Sequence, residues 1–212
     1  MTLRLDWTIH YPDFPISSVI SMPMTQESPA TWSRAIQRLH FSVALLVTIQ
    51  IVIGLMLDRN TSGLLQTHFY LGLTIAALVL WHWTWLLTRE RILLHHLFPW
   101  SPRRLAEAWG DIRGALKETL PQSGPAGSSL VGLVHGLGLL ALTAVAALGT
   151  LIFILIQLHA GRSEAAEIIE NIHIALAWML IVYWGGHVLL ALVHQMRGDL
   201  VITRMFGRSR SA

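Results

Sequence analysis

The 212-residue chain contains no cysteine. Disulfide scaffolds, iron–sulfur clusters, thiolate zinc sites and covalently attached c-type haem, which needs a C-x-x-C-H sequence, are thereby excluded. Charge is scarce as well. Asp, Glu, Lys and Arg make up 13% of the residues, against roughly 25% in soluble domains. With 53% hydrophobic residues and a mean hydropathy of +0.54, that deficit argues for lipid as the solvent. A pI near 9.9 does not argue for nucleic acid, because 15 Lys+Arg against 12 Asp+Glu is a small excess.

Long apolar runs fill the space that charge leaves. Four stretches, about Leu39–Leu57, Leu64–Leu87, Leu130–Leu158 and Ile169–Val193, reach the ~20 mostly apolar residues that a bilayer crossing needs. None alternates at period two, which argues against a lipid-facing β-barrel. Helices satisfy their own backbone hydrogen bonds in lipid. The expected fold is therefore an all-α membrane protein, a bundle of four transmembrane helices. Of the 15 basic residues, all but Arg59 and Arg162 fall in the two tails or in the loop between the second and third spans. The positive-inside rule then places both termini in the cytoplasm. The opposite loops carry Asp58, Glu164, Glu167 and Glu170 and are net acidic.

Residues 1–31 are punctuated by Pro12, Pro15, Pro23 and Pro29 and show no signal-peptide pattern. They are expected to form a mobile cytoplasmic tail, with Met22 and Met24 as plausible alternative starts. Residues 32–207 are expected to form the four-helix domain, and 208–212 a C-terminal tail. Within the second loop, Ser101 and Pro102 read as an N-cap and first helical residue. Leu105, Ala108, Trp109, Ile112 and Leu116 then form the apolar stripe of an interfacial helix over about 102–119. The segment His159–Glu167 is too short for an outer domain.

Eleven histidines stand out, and ionisable residues inside a membrane are functional candidates by default. His40, His68, His82, His135, His173 and His187 lie in or at the edge of the spans. His173 and His187 are fourteen residues apart, which on a helix is ~21 Å along the axis and about 40° short of whole turns. One face of the fourth helix thus offers an imidazole near each membrane surface. His68 and His82 repeat the spacing on the second helix. Sorted by depth, the outer level holds His68 and His173; the inner level holds His187 with His40 and His82 as candidates. Paired imidazoles without nearby carboxylate or thiolate suit axial ligation of haem iron. Zinc would want four protein ligands, or three plus water, and neither level is expected to offer so compact a set; a proton relay would recruit Asp or Glu, which the helix cores lack.

Small residues accompany the pairs. Gly72 sits one turn beyond His68, Ala177 one turn beyond His173, and Gly185–Gly186 directly precede His187. Gly54 lies fourteen residues beyond His40 on the same helix face. Such residues admit a porphyrin edge or a neighbouring helix equally well; for Gly132 and Gly136 packing is the expectation. Arg38 stands ~200° around the helix from His40 and is expected to anchor the interface instead of reaching a cofactor. His135 is expected to be a packing residue, His194 to serve the helix C-terminus, His95–His96 to lie at the interface, and Trp81, Trp83 and Trp85 to form an aromatic belt.

Arg38–Leu39–His40, His68 with Gly72, His173 with His187, and the ending LALVHQMRGDLVITRMF over Leu190–Phe206 together resemble the prokaryotic cytochrome b561 family, which includes the b-type cytochrome subunits of nickel–iron hydrogenases. The resemblance spans about residues 32–207. It implies a multi-pass protein of the bacterial inner membrane holding two haems b, with His40 and His187 as iron ligands of the inner haem and His68 and His173 of the outer. The sequence departs from the family at His82, where arginine is usual, so His82 stays open as an alternative inner ligand. Gly54 and Gly72 are expected to border the cofactors. The implied function is electron transfer between the quinone pool, ubiquinone or menaquinone, and a periplasmic cytochrome or dehydrogenase subunit. Two further roles are known for such proteins: membrane anchor of a hydrogenase, and superoxide oxidase passing electrons to quinone. The net-acidic outer loops argue against an anionic substrate. A haem-free proton or metal transporter is the alternative of a different class. Membrane lipid is the expected surroundings, nucleic acid is not expected, and a homo-oligomer is compatible with the pattern.

Overall fold

The computed structural model describes residues 33–57, 62–98, 101–115, 128–158, 163–198 and 202. The tails expected over 1–31 and 208–212 lie outside the described residues, as do Arg59, Arg162, Leu116 and His159. The described residues form six helices: α1 (Arg34–Leu55), α2 (Ser62–Thr88), α3 (Arg91–Leu97), α4 (Pro102–Ala115), α5 (Ser129–Gln157) and α6 (Glu164–Met196). Four of them, α1, α2, α5 and α6, are long and apolar enough to cross a membrane. Their outward side chains bear this out: Leu80 is 69% and Val182 74% exposed, which costs free energy in water and none in hydrocarbon.

Serines set the helix starts. The hydroxyls of Ser33, Ser128 and Ser163 accept from the backbone N–H of Ile36, Val131 and Ala166 at 3.4, 3.3 and 3.2 Å, satisfying donors that an open helix end leaves orphaned. This is why α1 and α6 begin about five residues before their apolar runs. Glu164 and Glu167 in the first turn of α6 also favour the positive end of its dipole.

The bundle runs in the order α1, α2, α5, α6, each packed along the next; among the described residues α6 makes no comparable approach to α1 or α2. Val47, Ile75 and Val79 form one buried cluster, against which Leu142 of α5 and Trp184 of α6 pack. Ile36, Leu86, Leu93, Leu97 and Leu139 form a second. It lies at what is here termed the terminal end, where α1 begins and α6 ends; the opposite end, with the α1–α2 and α5–α6 connections, is the hairpin end. Trp83 stacks on Phe98 at 5.9 Å and donates its Nε1–H to Thr143 Oγ1 at 3.0 Å, and Trp85 packs on the second cluster. Of the three tryptophans expected in a belt, only Trp81, 62% exposed, faces outward. The other two turn inward because α3 and α5 offer them a packing surface.

The short helices close the terminal end. The main-chain carbonyls of His96 and Leu97, the last of α3, lie directly over Gly132 and Gly136, so these glycines serve packing, as expected. Their partner, however, is the end of α3 and not another span. α4 starts as expected, with Ser101 Oγ accepting from Arg104 N at 3.3 Å. Ala108 is buried. Beside it, Glu107 accepts from Ser129 Oγ at 3.1 Å and Asp111 from Leu130 N at 3.3 Å. The acidic side of α4 thus caps the positive N-terminus of α5, leaving Leu105 and Trp109 exposed with the Arg113 guanidinium 5.4 Å over the indole.

Candidate cofactor sites: two histidine pairs

At the terminal end, His40 of α1 and His187 of α6 face each other with ring centroids 6.3 Å apart. His135 of α5 joins them, edge-on to His187 at 5.0 Å, and one ring nitrogen of each of the three lies within 4.8 Å of the others. His135 Nδ1 is 2.7 Å from the Val131 carbonyl one turn back. A carbonyl only accepts, so Nδ1 carries the proton and Nε2 the lone pair. Tyr183, one turn before His187, stacks on its ring at 5.7 Å with planes 17° apart. The tyrosine ring occupies the notch over Gly138, where any Cβ would collide with it. His82 lies outside the three-histidine group.

At the hairpin end, His68 of α2 and His173 of α6 face each other at 6.5 Å. His173 donates its Nδ1–H to the Val145 carbonyl of α5 at 3.1 Å, which leaves Nε2 as the electron-pair donor. Gly149, one turn beyond Val145, makes room for the ring: a Cβ there would stand 3.0 Å from His173 Cε1. Gly54 borders His68 more loosely, its Cβ position being 3.5 Å from His68 Cε1, an ordinary contact that a side chain could also make. Gly72 instead faces Gln50, whose Nε2 would be 3.2 Å from a Cβ at 72 and which donates to the His68 main-chain carbonyl at 3.0 Å. Arg38 is exposed, on the side of α1 away from His40 as the helical turn requires.

The depth sorting therefore brings together His40 with His187 and His68 with His173. His135, Tyr183, Gly149 and Gln50 were not expected at the sites. His135 had a signal: six residues into α5, it lies at the depth of His187, which is nine residues from the end of α6. The others act on the histidines from neighbouring helices or turns, which spacing along one helix does not reveal.

Both pairs suit a metal held between two imidazoles. With roughly 2.0–2.1 Å from an imidazole nitrogen to a first-row metal and ~1.1 Å from that nitrogen to the ring centre, two trans rings sit roughly 6.3 Å apart. The observed 6.3 and 6.5 Å match. Burial adds to the case, since His40 Nδ1 and His68 Nδ1 are buried without a hydrogen-bond partner, a cost natural proteins seldom bear outside functional sites. Thiolates are ruled out by composition.

A four-span bundle carrying opposed imidazole pairs at both ends defines a membrane b-type cytochrome. More particularly, residues 31–208 match the profile of a family described as prokaryotic cytochrome b561, and the chain belongs to that family of haem b electron-transfer proteins. Comparison with curated proteins and with solved structures returns no match.

Beyond the spans, His96 on α3 is the group whose titration the fold alters. Burial first, then the nearby Arg104 guanidinium and His135 ring, push its pKa below the ordinary 6.5, and its Nε2 has no hydrogen-bond partner. The Arg104 guanidinium itself donates to the His95 carbonyl at 2.8 Å.

Proposed function

We propose that the chain is a di-haem b cytochrome of the bacterial inner membrane. It transfers electrons between the quinone pool, ubiquinone or menaquinone, and a redox partner on the periplasmic side. Both termini face the cytoplasm, so the terminal end is inner and the hairpin end outer. The observation that carries the reading is the repeat of one spacing, imidazole pairs 6.3 and 6.5 Å apart, at the two ends of α6, with α1 supplying the partner at one end and α2 at the other. His40 and His187 hold the inner haem, His68 and His173 the outer. Haem iron, when bound, supplies one-electron oxidation and reduction, with its potential set by ligand, burial and hydrogen bonding.

The chain's own contribution is orientation. Val145 fixes the His173 tautomer so that Nε2 is the ligating atom, as is usual for metal-bound imidazole. Tyr183 holds the plane of His187 from one side and His135 meets its edge from another. Gly149 lets the His173 ring sit close to α5. An acidic outer surface suits a positively charged protein partner better than superoxide, which favours a periplasmic cytochrome or dehydrogenase subunit, a hydrogenase among them, over superoxide oxidation.

A second reading has one observation of its own. His40, His135 and His187 form a three-nitrogen group of the kind an open zinc site uses, as a haem-free metal transporter would need. A pyridine haemochrome assay and a reduced-minus-oxidised spectrum of the purified protein separate the two. Two haems b per chain support the cytochrome; none ends it. His40→Ala is expected to lose one haem and His82→Ala to keep both. The reverse result would move the inner ligand to His82.

A further inference from the structure

His68, like His40, has a ring nitrogen that is buried without a hydrogen-bond partner. An imidazole that ligates through Nε2 keeps its proton on Nδ1, and that N–H almost always finds an acceptor, which fixes the ring and raises its basicity. His173 has Val145 O in this role. His68 Nδ1 is buried with no partner, and so is Gln50 Oε1. These two orphans belong to residues already in contact, for Gln50 Nε2 donates to the His68 main-chain carbonyl at 3.0 Å. The ring of His68 lies against this same helix: a Cβ at Gly54, one turn beyond Gln50, would stand 3.5 Å from Cε1 and 3.9 Å from Nδ1. Gly72, at 3.2 Å from Gln50 Nε2, leaves the carboxamide its room. A glutamine in the middle of a membrane span is expensive, and one hydrogen bond satisfies only half of it.

We infer that Gln50 is the positioning residue of the His68 haem site, receiving the ring Nδ1–H on its Oε1 while its Nε2 grips the main-chain carbonyl of the same residue. The inference deepens the cytochrome reading and rests on His68 being an axial ligand. One of the orphaned atoms is an acceptor and the other the donor that a ring ligating through Nε2 would carry. The contact makes His68 a stronger donor, favours ferric iron and lowers that haem's potential. Because His173 is supported by a carbonyl and His68 by a carboxamide, the outer haem is tunable from α1 without touching a ligand.

The test is a potentiometric titration of the purified protein, followed in the visible spectrum and by low-temperature EPR of the ferric haems. Gln50→Leu removes the acceptor and is expected to raise the potential of the haem that His68→Ala eliminates. A tenfold change in the ferric-over-ferrous preference reads as about 59 mV for one electron. Gln50→Glu keeps an acceptor of greater strength and is expected to move the same haem the opposite way. Gly72→Ala, which crowds the carboxamide, is expected to move it in the direction of Gln50→Leu, and the other haem stays put in all three. Should Gln50→Leu prove too unstable to titrate, the glutamate and alanine variants decide. Unchanged potentials and EPR signals, equal shifts in both haems, or shifts of the same sign for leucine and glutamate overturn the inference. If His68→Ala retains both haems, it is the ligand assignment itself that fails.

Discussion

Replacing Gly138 by alanine puts a methyl group where the Tyr183 ring now lies. The new Cβ would stand 2.6 Å from Tyr183 Cε1 and closer still to Cζ and Oη. Relaxed carbon contacts need about 3.5–4.0 Å, so the ring must retreat by roughly 1 Å. It cannot do so alone, because its face is stacked on His187. Overpacking of this kind costs about 1–3 kcal/mol, and if that cost falls on the His40–His187 site it weakens cofactor retention roughly 5–150-fold. Haem per chain, measured by pyridine haemochrome during a graded detergent challenge, is expected to fall. Gly185→Ala is the control, since its Cβ would meet nothing within 4 Å. Gly138→Ala combined with Tyr183→Leu restores space and is expected to recover part of the loss. The reasoning is refuted if Gly138→Ala holds its haem as firmly as Gly185→Ala, or if trimming Tyr183 brings no recovery.

Other consequences are testable on the same preparation. His96 has a folded-state pKa below its ordinary 6.5, so the unfolded chain binds its proton first as the pH drops. The stability His96 contributes is complete above about pH 6.5 and is lost as pH falls toward the lowered folded-state value. Thermal unfolding between about pH 5 and 8 is expected to show a shallower acid loss for His96→Gln than for the parent; identical profiles would show that α3 docking is indifferent to this proton. Asp111→Ala removes a carboxylate cap from the N-terminus of α5 and is expected to cost about 0.5–2 kcal/mol, read as earlier unfolding in a denaturing-detergent titration. Trp83→Phe keeps the stacking on Phe98 but loses the bond to Thr143, for about 0.5–1.5 kcal/mol in the same titration.

Much of the fold is legible in the sequence because lipid leaves a chain few choices. Apolar length alone locates the four spans, and the serine caps account for the few residues by which α1 and α6 exceed their apolar runs. The pairing of His68 with His173 follows from alternating helix direction plus depth, whereas depth alone leaves His40 and His82 both open beside His187. What escapes such reasoning is contact between helices. α3, at seven residues, is too short to show a period, and its carbonyls over Gly132 and Gly136 are main-chain contacts that no side-chain pattern encodes. The inward turn of Trp83 depends on Thr143, sixty residues away. Gln50 reads as an isolated polar residue until α2 is laid beside it, and His135 reads as packing until α5 is placed at the same depth as the ring it meets.

Among the described residues the sequence of neighbours α1, α2, α5, α6 is a chain and not a closed circle, since the first and last spans pack on each other far less than consecutive ones do. Trp184 packs against the α1–α2 core, and two imidazole pairs, His40 with His187 and His68 with His173, face each other across that seam. A prosthetic group held there would act as a cross-tie, so that its binding free energy would also be closure free energy.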